Sequence, residues 1–430
     1  MSRSPALAGL QLGEKIMKRT ETIIIGAGHA GLAMSHALTS RGVDHIVLER
    51  GRVAQRWSER WDSLRLLTPN WMTRLPGWTY RGSDAHGFMS RSGVMDFLSA
   101  YARSFDAPVR EETKVVQVAH HYDGWRVVTD DGTWMASNVV VATGHCDTTA
   151  VPALSRELPS NVMQIPVSAY RNPDQVPSGT VLIVGASASG VQLARELRLA
   201  GREVVIAVGR HTRLPRRYRR NDILLWLDRM GSLRRDISTM ADADRARRET
   251  SLQLSGSSRA DNIDLYELSQ IGVRLAGRLH SVAGNSVRFA GDLRETTTRA
   301  DVQLRAILSR IDQFIRRYEL DPFLPDGDRP IPVPIKGELG SLDLARSGVT
   351  SVLWATGYKR SYPWLAAPVF DSAGEIRHER GVTPAPGLYV IGLQFMMRRN
   401  SSFIDGAGLD AEEIATAIAE RGKSSARRAA

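Results

Sequence analysis

Four residues near the N-terminus have the types and the spacing needed to bind a dinucleotide. Gly26, Gly28 and Gly31 follow the G-x-G-x-x-G pattern, and Glu49 lies close to the distance of about 20 residues at which a ribose-binding carboxylate is expected. The first glycine permits a tight turn, the second a close approach of the backbone to pyrophosphate, and the third close packing of helix on strand. The predicted chemistry is the binding of an adenine dinucleotide.

The surrounding sequence predicts the elements that position these residues. Residues 23–25 are consecutive isoleucines, which is typical of a strand buried on both faces of a parallel sheet. Apolar residues recur at helical spacing over 30–38, Gly42 ends the helix, and residues 46–48 form a second apolar strand that leads into Glu49. A helix that begins at the glycines directs its free N–H groups and the positive end of its dipole at the phosphates.

A second unit of the same kind occupies residues 181–208. A buried strand leads into a loop containing Gly185, Ser187, Ser189 and Gly190, and a helix and another strand follow. Ser187 replaces the middle glycine and adds a hydroxyl that can bond to phosphate. A G-x-S-x-G hydrolase elbow would need glycine at position 189, so the loop predicts phosphate binding rather than a nucleophile.

The second unit ends in arginines instead of an acidic residue. Arg210 and Arg213 follow its last strand. Positive charge in this place suits the 2′-phosphate of NADP rather than the free ribose hydroxyl of NAD. The sequence therefore favours NADPH over NADH. The arginine-rich run at residues 216–220 is predicted to be a solvated face or the rim of the coenzyme site.

Repeated segments indicate how the rest of the chain is organised. An Ala-Thr-Gly segment at residues 142–144 follows a predicted antiparallel meander over 115–141, and the same three residue types recur at 355–357 after another apolar run. Near the C-terminus, residues 404–408 precede a helix predicted at about 409–421. These patterns predict an α/β fold with two Rossmann-like dinucleotide-binding domains, the second inserted in a discontinuous first domain.

Composition excludes several classes of function. The 430 residues suffice for two domains, and Cys146 is the only cysteine, so an intramolecular disulfide and a cysteine-based metal cluster are excluded. No apolar run reaches the ~18 residues of a membrane span. The net charge of +11 lacks an accompanying nucleic-acid recognition motif. We therefore expect no metal, no nucleic acid and no membrane partner, and a reducing, cytoplasmic compartment.

Taken together, the two dinucleotide folds, the two Ala-Thr-Gly segments and the C-terminal strand and helix resemble the two-dinucleotide-binding-domain flavoproteins, and among them the class B flavin-dependent monooxygenases. The resemblance covers about residues 21–420. Trp57 matches the tryptophan of the family's Gly-Gly-x-Trp segment, although Ala and Gln stand at positions 54–55. Residues 64–70 resemble the stretch that lies against the isoalloxazine ring. Pro166 stands where the family's signature histidine is expected.

The resemblance implies FAD in the first unit and NADPH in the second. Residues 19–158 and 333–425 would then form the FAD-binding domain. Residues 159–332 would form the NADPH-binding domain, with a helical elaboration at 211–330. Residues 1–18 are predicted to be a disordered extension.

The residues predicted to contact the cofactors lie in the loops and at the strand ends of both units. They are Gly26, Gly28, His29, Ala30, Gly31, Glu49, Arg50, Arg56, Trp57, Val116, Ala142, Thr143, Gly144, Gly185, Ser187, Ser189, Gly190, Arg210, Arg213, Thr356, Gly357, Gly392, Asp405 and Gly406.

The activity that the resemblance implies is that of an FAD-containing, NADPH-dependent monooxygenase. Such an enzyme forms a flavin C4a-hydroperoxide from molecular oxygen and oxygenates a heteroatom or carbon centre of a small organic substrate. Asn70, Thr68 and Arg65 are the predicted catalytic candidates near the flavin.

Two other functions are compatible with the sequence. One is an NADPH-dependent flavin reductase that passes electrons to a quinone or a carrier protein, and the other is a dinucleotide sensor without catalytic activity. An internal disulfide mechanism is excluded, because it needs a second cysteine besides Cys146. A homodimer formed through the 211–330 elaboration is also compatible with the sequence.

Overall fold

The computed structural model describes residues 17–122, 124–257, 261–320, 327, 330–335 and 337–429. Its strands are β1 (Met17–Ile25), β2 (His45–Leu48), β3 (Arg74–Leu75), β4 (Trp78–Thr79), β5 (Val109–Arg110), β6 (Val115–His121), β7 (Gly124–Thr129), β8 (Gly132–Val141), β9 (Thr148–Thr149), β10 (Met163–Pro166), β11 (Thr180–Val184), β12 (Glu203–Ala207), β13 (Thr212–Arg213), β14 (Arg217–Tyr218), β15 (Asn221–Asp222), β16 (Leu252–Gln253), β17 (Arg274–Ala276), β18 (Leu279–Ala283), β19 (Ser286–Phe289), β20 (Ser341–Asp343), β21 (Val349–Trp354), β22 (Tyr358–Lys359), β23 (Leu365–Ala366) and β24 (Leu388–Val390).

The helices of the described residues are α1 (His29–Thr39), α2 (Gln55–Ser58), α3 (Arg91–Ser104), α4 (Ala188–Leu199), α5 (Ile223–Arg229), α6 (Ala243–Arg247), α7 (Leu265–Gln270), α8 (Leu293–Arg317) and α9 (Ile404–Ala429). Short 3₁₀ turns occupy Asn70–Met72, Ala153–Glu157, Pro173–Gln175, Ser232–Arg234 and Ile237–Thr239. In this part of the chain no helix is long and apolar enough to cross a membrane.

The first sheet forms around β1. This strand pairs in parallel with β2 on one side and β8 on the other, and Ile23 and Ile24 are fully buried because helices cover the sheet. Helix α1 packs against α9 on one face. The predicted meander is confirmed, since β6, β7 and β8 pair antiparallel in sequence order. Strand β24 joins β8 from the C-terminal part of the chain.

The second sheet is entirely parallel and has the order β10-β21-β11-β12-β17. All residues of Thr180–Val184 are buried, as a central strand with covered faces requires. Helix α4 follows β11 and packs against β12. The second Rossmann-like unit thus forms at the predicted place, and the predicted fold class is confirmed.

The domain boundaries differ from those predicted. Strand β21 lies in the second sheet, next to β11, so the chain returns to the first domain after residue 354 and not at 333. The two segments in which the chain crosses between the domains pair with each other, since β9 and β22 are antiparallel partners. Sequence patterns missed this because a buried parallel strand looks the same in either sheet. Of the predicted extension, residues 1–16 lie outside the described residues, whereas Met17 and Lys18 belong to β1.

The 211–330 elaboration is mixed rather than helical. It contributes the pairs β13–β16 and β14–β15, and β18 and β19 form a three-stranded meander with β20. Helix α8 (Leu293–Arg317) is the longest element of this region. Its apolar face and that of α5 share a core with Met72 and Leu67 of the first domain. The elaboration therefore packs directly on the predicted flavin-side stretch at residues 64–70.

Candidate functional site

The first phosphate loop has the backbone geometry of a dinucleotide site. Gly26 has a φ of +109°, and a Cβ there would lie 2.7 Å from the carbonyl oxygen of Ala142. A Cβ on Gly31 would lie 1.9 Å from the carbonyl oxygen of Gly26, so helix and turn touch. A Cβ on Gly28 would meet no heavy atom within 4 Å. The middle glycine thus faces open space at the N-terminus of α1, which fits a bound pyrophosphate.

Glu49 lies beside this loop. Its carboxylate accepts hydrogen bonds from the backbone N–H groups of Ala27, at 2.8 Å, and Gly51, at 3.0 Å. Arg50 is exposed next to it. Val116 lies in β6, at an irregularity where the register to β7 shifts, and it is 46 % exposed. Such an irregularity leaves backbone groups without strand partners, which is the feature that an adenine ring could use.

His29 contributes an unpaired polar atom to the first loop. Its Nε2 is buried and has no hydrogen-bond partner among the described residues. Burial and the nearby His145 lower its pKa to about 4, while the backbone of Ser402 acts in the opposite direction. The imidazole is therefore neutral at pH 7. A buried nitrogen without a partner in a phosphate loop fits a site that is completed by a polar ligand.

The C-terminal segment approaches the same loop but differs from the prediction. Gly392 has a φ of +78°, and a Cβ there would lie 2.8 Å from the Cβ of Ala30. Asp405 and Gly406 lie within the first turn of α9, because that helix begins at Ile404 and not near residue 409. A Cβ on Gly406 would lie 1.9 Å from the carbonyl oxygen of Asn400, so this glycine is required for packing.

Asp405 is bound inside the protein. Its Oδ1 accepts a hydrogen bond from Arg74 Nε at 2.6 Å, and its side chain is 5 % exposed. Asn400 donates to its other oxygen at 3.3 Å. Asp405 stays a predicted cofactor-side residue, but in this conformation its carboxylate is engaged by the ion pair with Arg74 of β3.

Asn70 is the best placed of the three catalytic candidates. The side chain is buried, its Nδ2 donates to the carbonyl of Asp84 at 2.8 Å, and its Oδ1 is buried without a partner among the described residues. Thr68 is half-buried two residues before it. Arg65 is exposed and donates to the carbonyl of Phe88 at 2.8 Å. The structure therefore leaves an acceptor free at Asn70, whereas Arg65 is used in fixing its own loop.

The second phosphate loop repeats the geometry of the first. Gly185 has a φ of +108°, and a Cβ there would lie 2.3 Å from the carbonyl oxygen of Ala355. A Cβ on Gly190 would lie 1.9 Å from the carbonyl oxygen of Gly185. Ser187 is the N-cap residue of α4, and its side chain makes no capping hydrogen bond, so its hydroxyl is available to a phosphate. Ser189 is half-buried in the first turn.

Each Ala-Thr-Gly segment serves its own loop. Ala142 lies against Gly26, with Thr143 and Gly144 half-buried after it. Thr356 and Gly357 follow β21, and the backbone nitrogen of Thr356 lies beside Gly185 of the second loop. Thr356 Oγ1 donates to the carbonyl of Ala150 at 2.8 Å, and this bond ties the two domain crossings together.

The two coenzyme-side arginines have different environments. Arg210 is exposed and donates a long bond of 3.4 Å to the carbonyl of Arg248. Arg213 is 4 % exposed and pairs with Asp264 at 2.8 Å and Asp301 at 2.6 Å. The predicted contact of Arg213 with a 2′-phosphate is therefore disfavoured, since its donors are already used in a buried ion-pair cluster.

Sequence patterns missed two buried residues near the site. Arg216 is fully buried and donates to the carbonyl of Leu67 at 2.8 Å, which contradicts the prediction of a solvated face. Burial lowers the pKa of its guanidinium, while pairing with Asp222 raises it. Gln253 is also fully buried and donates to the carbonyl of Ala186 at 2.6 Å. No sequence signal identifies either residue, because both partners lie far away in the chain.

A titratable cluster lies at the domain crossings. Arg60 donates to the hydroxyl of Tyr358 at 2.6 Å, and His145 and Cys146 lie next to them. Burial raises the pKa of the Cys146 thiol, but His145 and Arg60 outweigh burial, and the net pKa is lowered. Nearby, Arg56 pairs with Asp147 at 2.9 Å. Trp57 is half-buried and packs on the core of the first domain.

Comparison with known proteins defines the class. A flavin-containing monooxygenase from Stenotrophomonas maltophilia has the same fold, with a TM-score of 0.66 and 17 % identity over 94 % of this chain and 99 % of that chain. A family model described as pyridine nucleotide-disulphide oxidoreductase matches residues 23–230. With both phosphate loops in place, the fold is that of a two-domain oxidoreductase with two dinucleotide-type sites.

Sequence relatives define the family. A CzcO-like oxidoreductase of Geobacillus kaustophilus, itself uncharacterised, is 31 % identical over 401 residues, which is 92 % of this chain and 97 % of that protein. A probable indole-3-pyruvate monooxygenase of Arabidopsis thaliana, YUCCA1, is 33 % identical over 181 residues, covering 41 % of this chain and 44 % of that protein. The chain belongs to the CzcO-like oxidoreductases, which resemble class B flavoprotein monooxygenases.

Proposed function

We propose that the protein is an NADPH-dependent monooxygenase that oxygenates a small organic molecule. The observation that carries this proposal is the pair of phosphate loops with matching backbone geometry, together with the stretch 64–70 between the two domains. A chain with Cys146 as its only cysteine has no internal dithiol to receive electrons from a reduced flavin. Molecular oxygen is then the acceptor that the architecture favours.

The first loop and Glu49 are proposed to bind FAD. The open space at Gly28 would admit the pyrophosphate, and the Glu49 carboxylate would exchange its present backbone bonds for the ribose hydroxyls. His29 Nε2, which is buried without a partner among the described residues, would gain one from the bound cofactor. The second loop, with Ser187 and Arg210, is proposed to bind NADPH.

FAD held in the first loop would supply the redox chemistry, namely hydride acceptance from NADPH and activation of oxygen as the proposed C4a-hydroperoxide. The protein's own contribution is orientation and the exclusion of water, because a solvated hydroperoxide loses hydrogen peroxide instead of transferring oxygen. Asn70 offers a buried acceptor, Oδ1, next to the proposed flavin position. We propose that Asn70 orients the flavin or the nicotinamide, with Thr68 beside it. The single cysteine favours the cytoplasm as the compartment.

A flavin reductase is the second candidate. It is favoured by the full-length relative, which carries the designation of an oxidoreductase and not of a monooxygenase. In that case electrons from NADPH would pass through the flavin to a quinone or a carrier protein. Both candidates share the first half of the reaction and differ in what happens to the reduced flavin.

Rapid mixing separates the two candidates. The FAD-loaded protein is reduced with NADPH without oxygen and is then mixed with oxygenated buffer in a stopped-flow spectrometer. A transient with the absorbance of a C4a adduct supports the monooxygenase. Direct return to oxidised flavin, together with fast NADPH-dependent reduction of a simple quinone, would assign the protein as a reductase.

A further inference from the structure

Two short strands of the second domain lead to the same place in the first domain. Strands β13 and β16 pair in parallel, with Thr212 opposite Leu252 and Arg213 opposite Gln253. The chain that leaves β13 reaches Arg216, and the chain that leaves β16 reaches Gly256. Both residues contact the stretch 64–70 or its neighbour Phe88. We call residues 64–70 the flavin-side stretch.

Arg216 contacts the flavin-side stretch through its guanidinium. Nη1 donates to the carbonyl of Leu67 at 2.8 Å, and the group lies 4.9 Å from the ring centroid of Phe88. Nη2 pairs with the carboxylate of Asp222, which is also the N-cap of α5. The backbone N–H of Arg216 donates to Asn262 Oδ1 at 2.7 Å. A fully buried guanidinium is tolerated only where such partners compensate its loss of hydration, so its position is tightly determined.

Gly256 contacts the same stretch through its backbone. A Cβ at this residue would lie 2.1 Å from the carbonyl oxygen of Leu66 and 2.8 Å from the Cβ of Phe88. The first of these distances is far below a van der Waals contact with a backbone atom. Any side chain at position 256 would therefore displace the flavin-side stretch, the segment 255–257, or both.

The other end of this connection lies at the coenzyme loop. Gln253, in β16, donates to the carbonyl of Ala186 between Gly185 and Ser187. Gln192 of α4 donates to the carbonyl of Leu254 at 2.9 Å. The segment 252–257 is thus bonded to the second phosphate loop at one end and packed on the flavin-side stretch at the other.

We propose that Arg216 is a positioning residue for hydride transfer, because it fixes the flavin-side stretch to the domain that carries the coenzyme. Gly256 acts as the second contact of the same connection. The inference rests on the proposed function, since it needs NADPH and flavin in the two loops. Hydride transfer requires donor and acceptor to be placed within a few tenths of an ångström, and a misplacement of about 1 Å can reduce a rate roughly 100-fold. The contacts of Arg216 and Gly256 determine that placement, although both residues lie outside the reacting groups.

The test uses two variants that disturb the connection in different ways. Arg216→Met removes the donor to Leu67 but keeps much of the volume, and Gly256→Ala adds one carbon atom without removing a charge. The FAD-loaded proteins are mixed with NADPH without oxygen, and the limiting rate of flavin reduction is measured together with the apparent Kd for NADPH. Reduction by dithionite reports on the flavin itself. We expect both variants to lose about tenfold or more in the limiting rate, with little change in FAD content, in Kd or in reduction by dithionite.

Two matched variants control for structural damage. Arg198→Met removes an arginine whose carboxylate and carbonyl partners lie inside the second domain. Gly291→Ala adds a Cβ whose nearest neighbour within 4 Å is a side-chain oxygen of Glu338 at 3.4 Å. Both should reduce flavin at the wild-type rate. If Arg216→Met does not fold, the limiting rate of Gly256→Ala decides whether the connection positions the hydride transfer. Arg216→Lys restores one donor and should therefore reduce flavin faster than Arg216→Met.

The outcomes distinguish a failure of the role assigned to Arg216 from a failure of the proposed function. Variants that reduce flavin as fast as the wild type, or that lose rate only in proportion to lost FAD, overturn the role of Arg216 and leave the proposed function intact. A wild-type protein whose flavin is not reduced by NADPH overturns the proposed function and this inference with it. A rate loss confined to Arg216→Met and Gly256→Ala supports the inference.

Discussion

The two phosphate loops are copies in backbone and differ in the side chains around them. In each, the first glycine lies against the carbonyl of the alanine of an Ala-Thr-Gly segment. A Cβ on the last glycine would lie 1.9 Å from the carbonyl oxygen of the first glycine. The middle position is Gly28 in one loop and Ser187 in the other. The following strand ends in Glu49 in one unit and leads to Arg210 in the other. Packing thus fixes the outer glycines, whereas the middle residue and the strand end distinguish the ligands.

The largest expected effect is the loss of FAD affinity in Gly28→Val, a change in the first loop that alters ligand binding but not packing. Gly28 has extended backbone angles that any residue adopts, and a Cβ there meets open space. Gly28→Val should therefore fold normally and lose FAD, because the side chain would occupy the pyrophosphate path. We expect a loss of FAD affinity of roughly 100-fold or more, or about 3 kcal/mol. Absorbance of the purified protein and titration with FAD measure it.

Two variants complete this comparison. Gly31→Ala should destabilise the protein itself, because its Cβ would collide with the carbonyl of Gly26. Ser187→Val should weaken NADPH binding and leave the protein as yellow as the wild type. A Gly28→Val protein that retains FAD at the wild-type level would show that the first loop is not the pyrophosphate site.

Coenzyme choice tests the difference at the strand ends. Arg210→Ala should weaken NADPH and leave NADH almost unchanged, since the exposed guanidinium is proposed to pair with the 2′-phosphate. A charge-assisted hydrogen bond contributes about 1.5–3 kcal/mol, or about tenfold to 100-fold in affinity. Initial rates of flavin reduction at varied NADPH and NADH concentrations give both constants.

The control for Arg210 is Arg274→Ala, which removes an exposed charge elsewhere in the second domain. Arg213→Ala should behave differently again: it should lower stability and leave the NADPH preference, because Arg213 pairs with buried carboxylates. Equal weakening of both coenzymes by Arg210→Ala would contradict the assignment of this residue to the 2′-phosphate.

The smallest expected effect concerns His29, which occupies in the first loop the position that Ala188 occupies in the second. In the folded state the pKa of His29 is lowered from the ordinary 6.5 to about 4, so the folded state binds fewer protons than the unfolded state between these values. Stability contributed in this way is present above pH 6.5 and is lost as the pH falls towards 4. The wild type should lose about 1–2 kcal/mol more than His29→Gln between pH 7 and pH 4.5.

Urea unfolding at the two pH values measures this difference. His280→Gln, a change at an exposed histidine, is the control and should follow the wild type. A His29→Gln protein that loses as much stability as the wild type on acidification would show that His29 is not held in its neutral form by the fold.

Local sequence patterns predicted the elements that bind dinucleotides, because those elements are built from neighbours in the chain. Buried strand, glycine loop, helix and strand end follow each other within each unit, and the meander at β6–β8 is joined by tight turns. The glycine spacing, the serine of the second loop and the arginine beyond it are all visible without a structure. The fold class and the two dinucleotide-type phosphate loops followed from these patterns.

The tertiary structure alone decided which charged and polar groups pair. Arg216 and Leu67 are 149 residues apart, and Arg74 and Asp405 are 331 residues apart. In a chain with 57 basic and 46 acidic residues, charge type does not identify the partner, because many pairings have similar energy until packing selects one. Burial therefore reassigned Arg213 and Asp405 to ion pairs and Arg216 to the domain contact. The same holds for β21, since a parallel strand carries no local mark of the sheet that it joins.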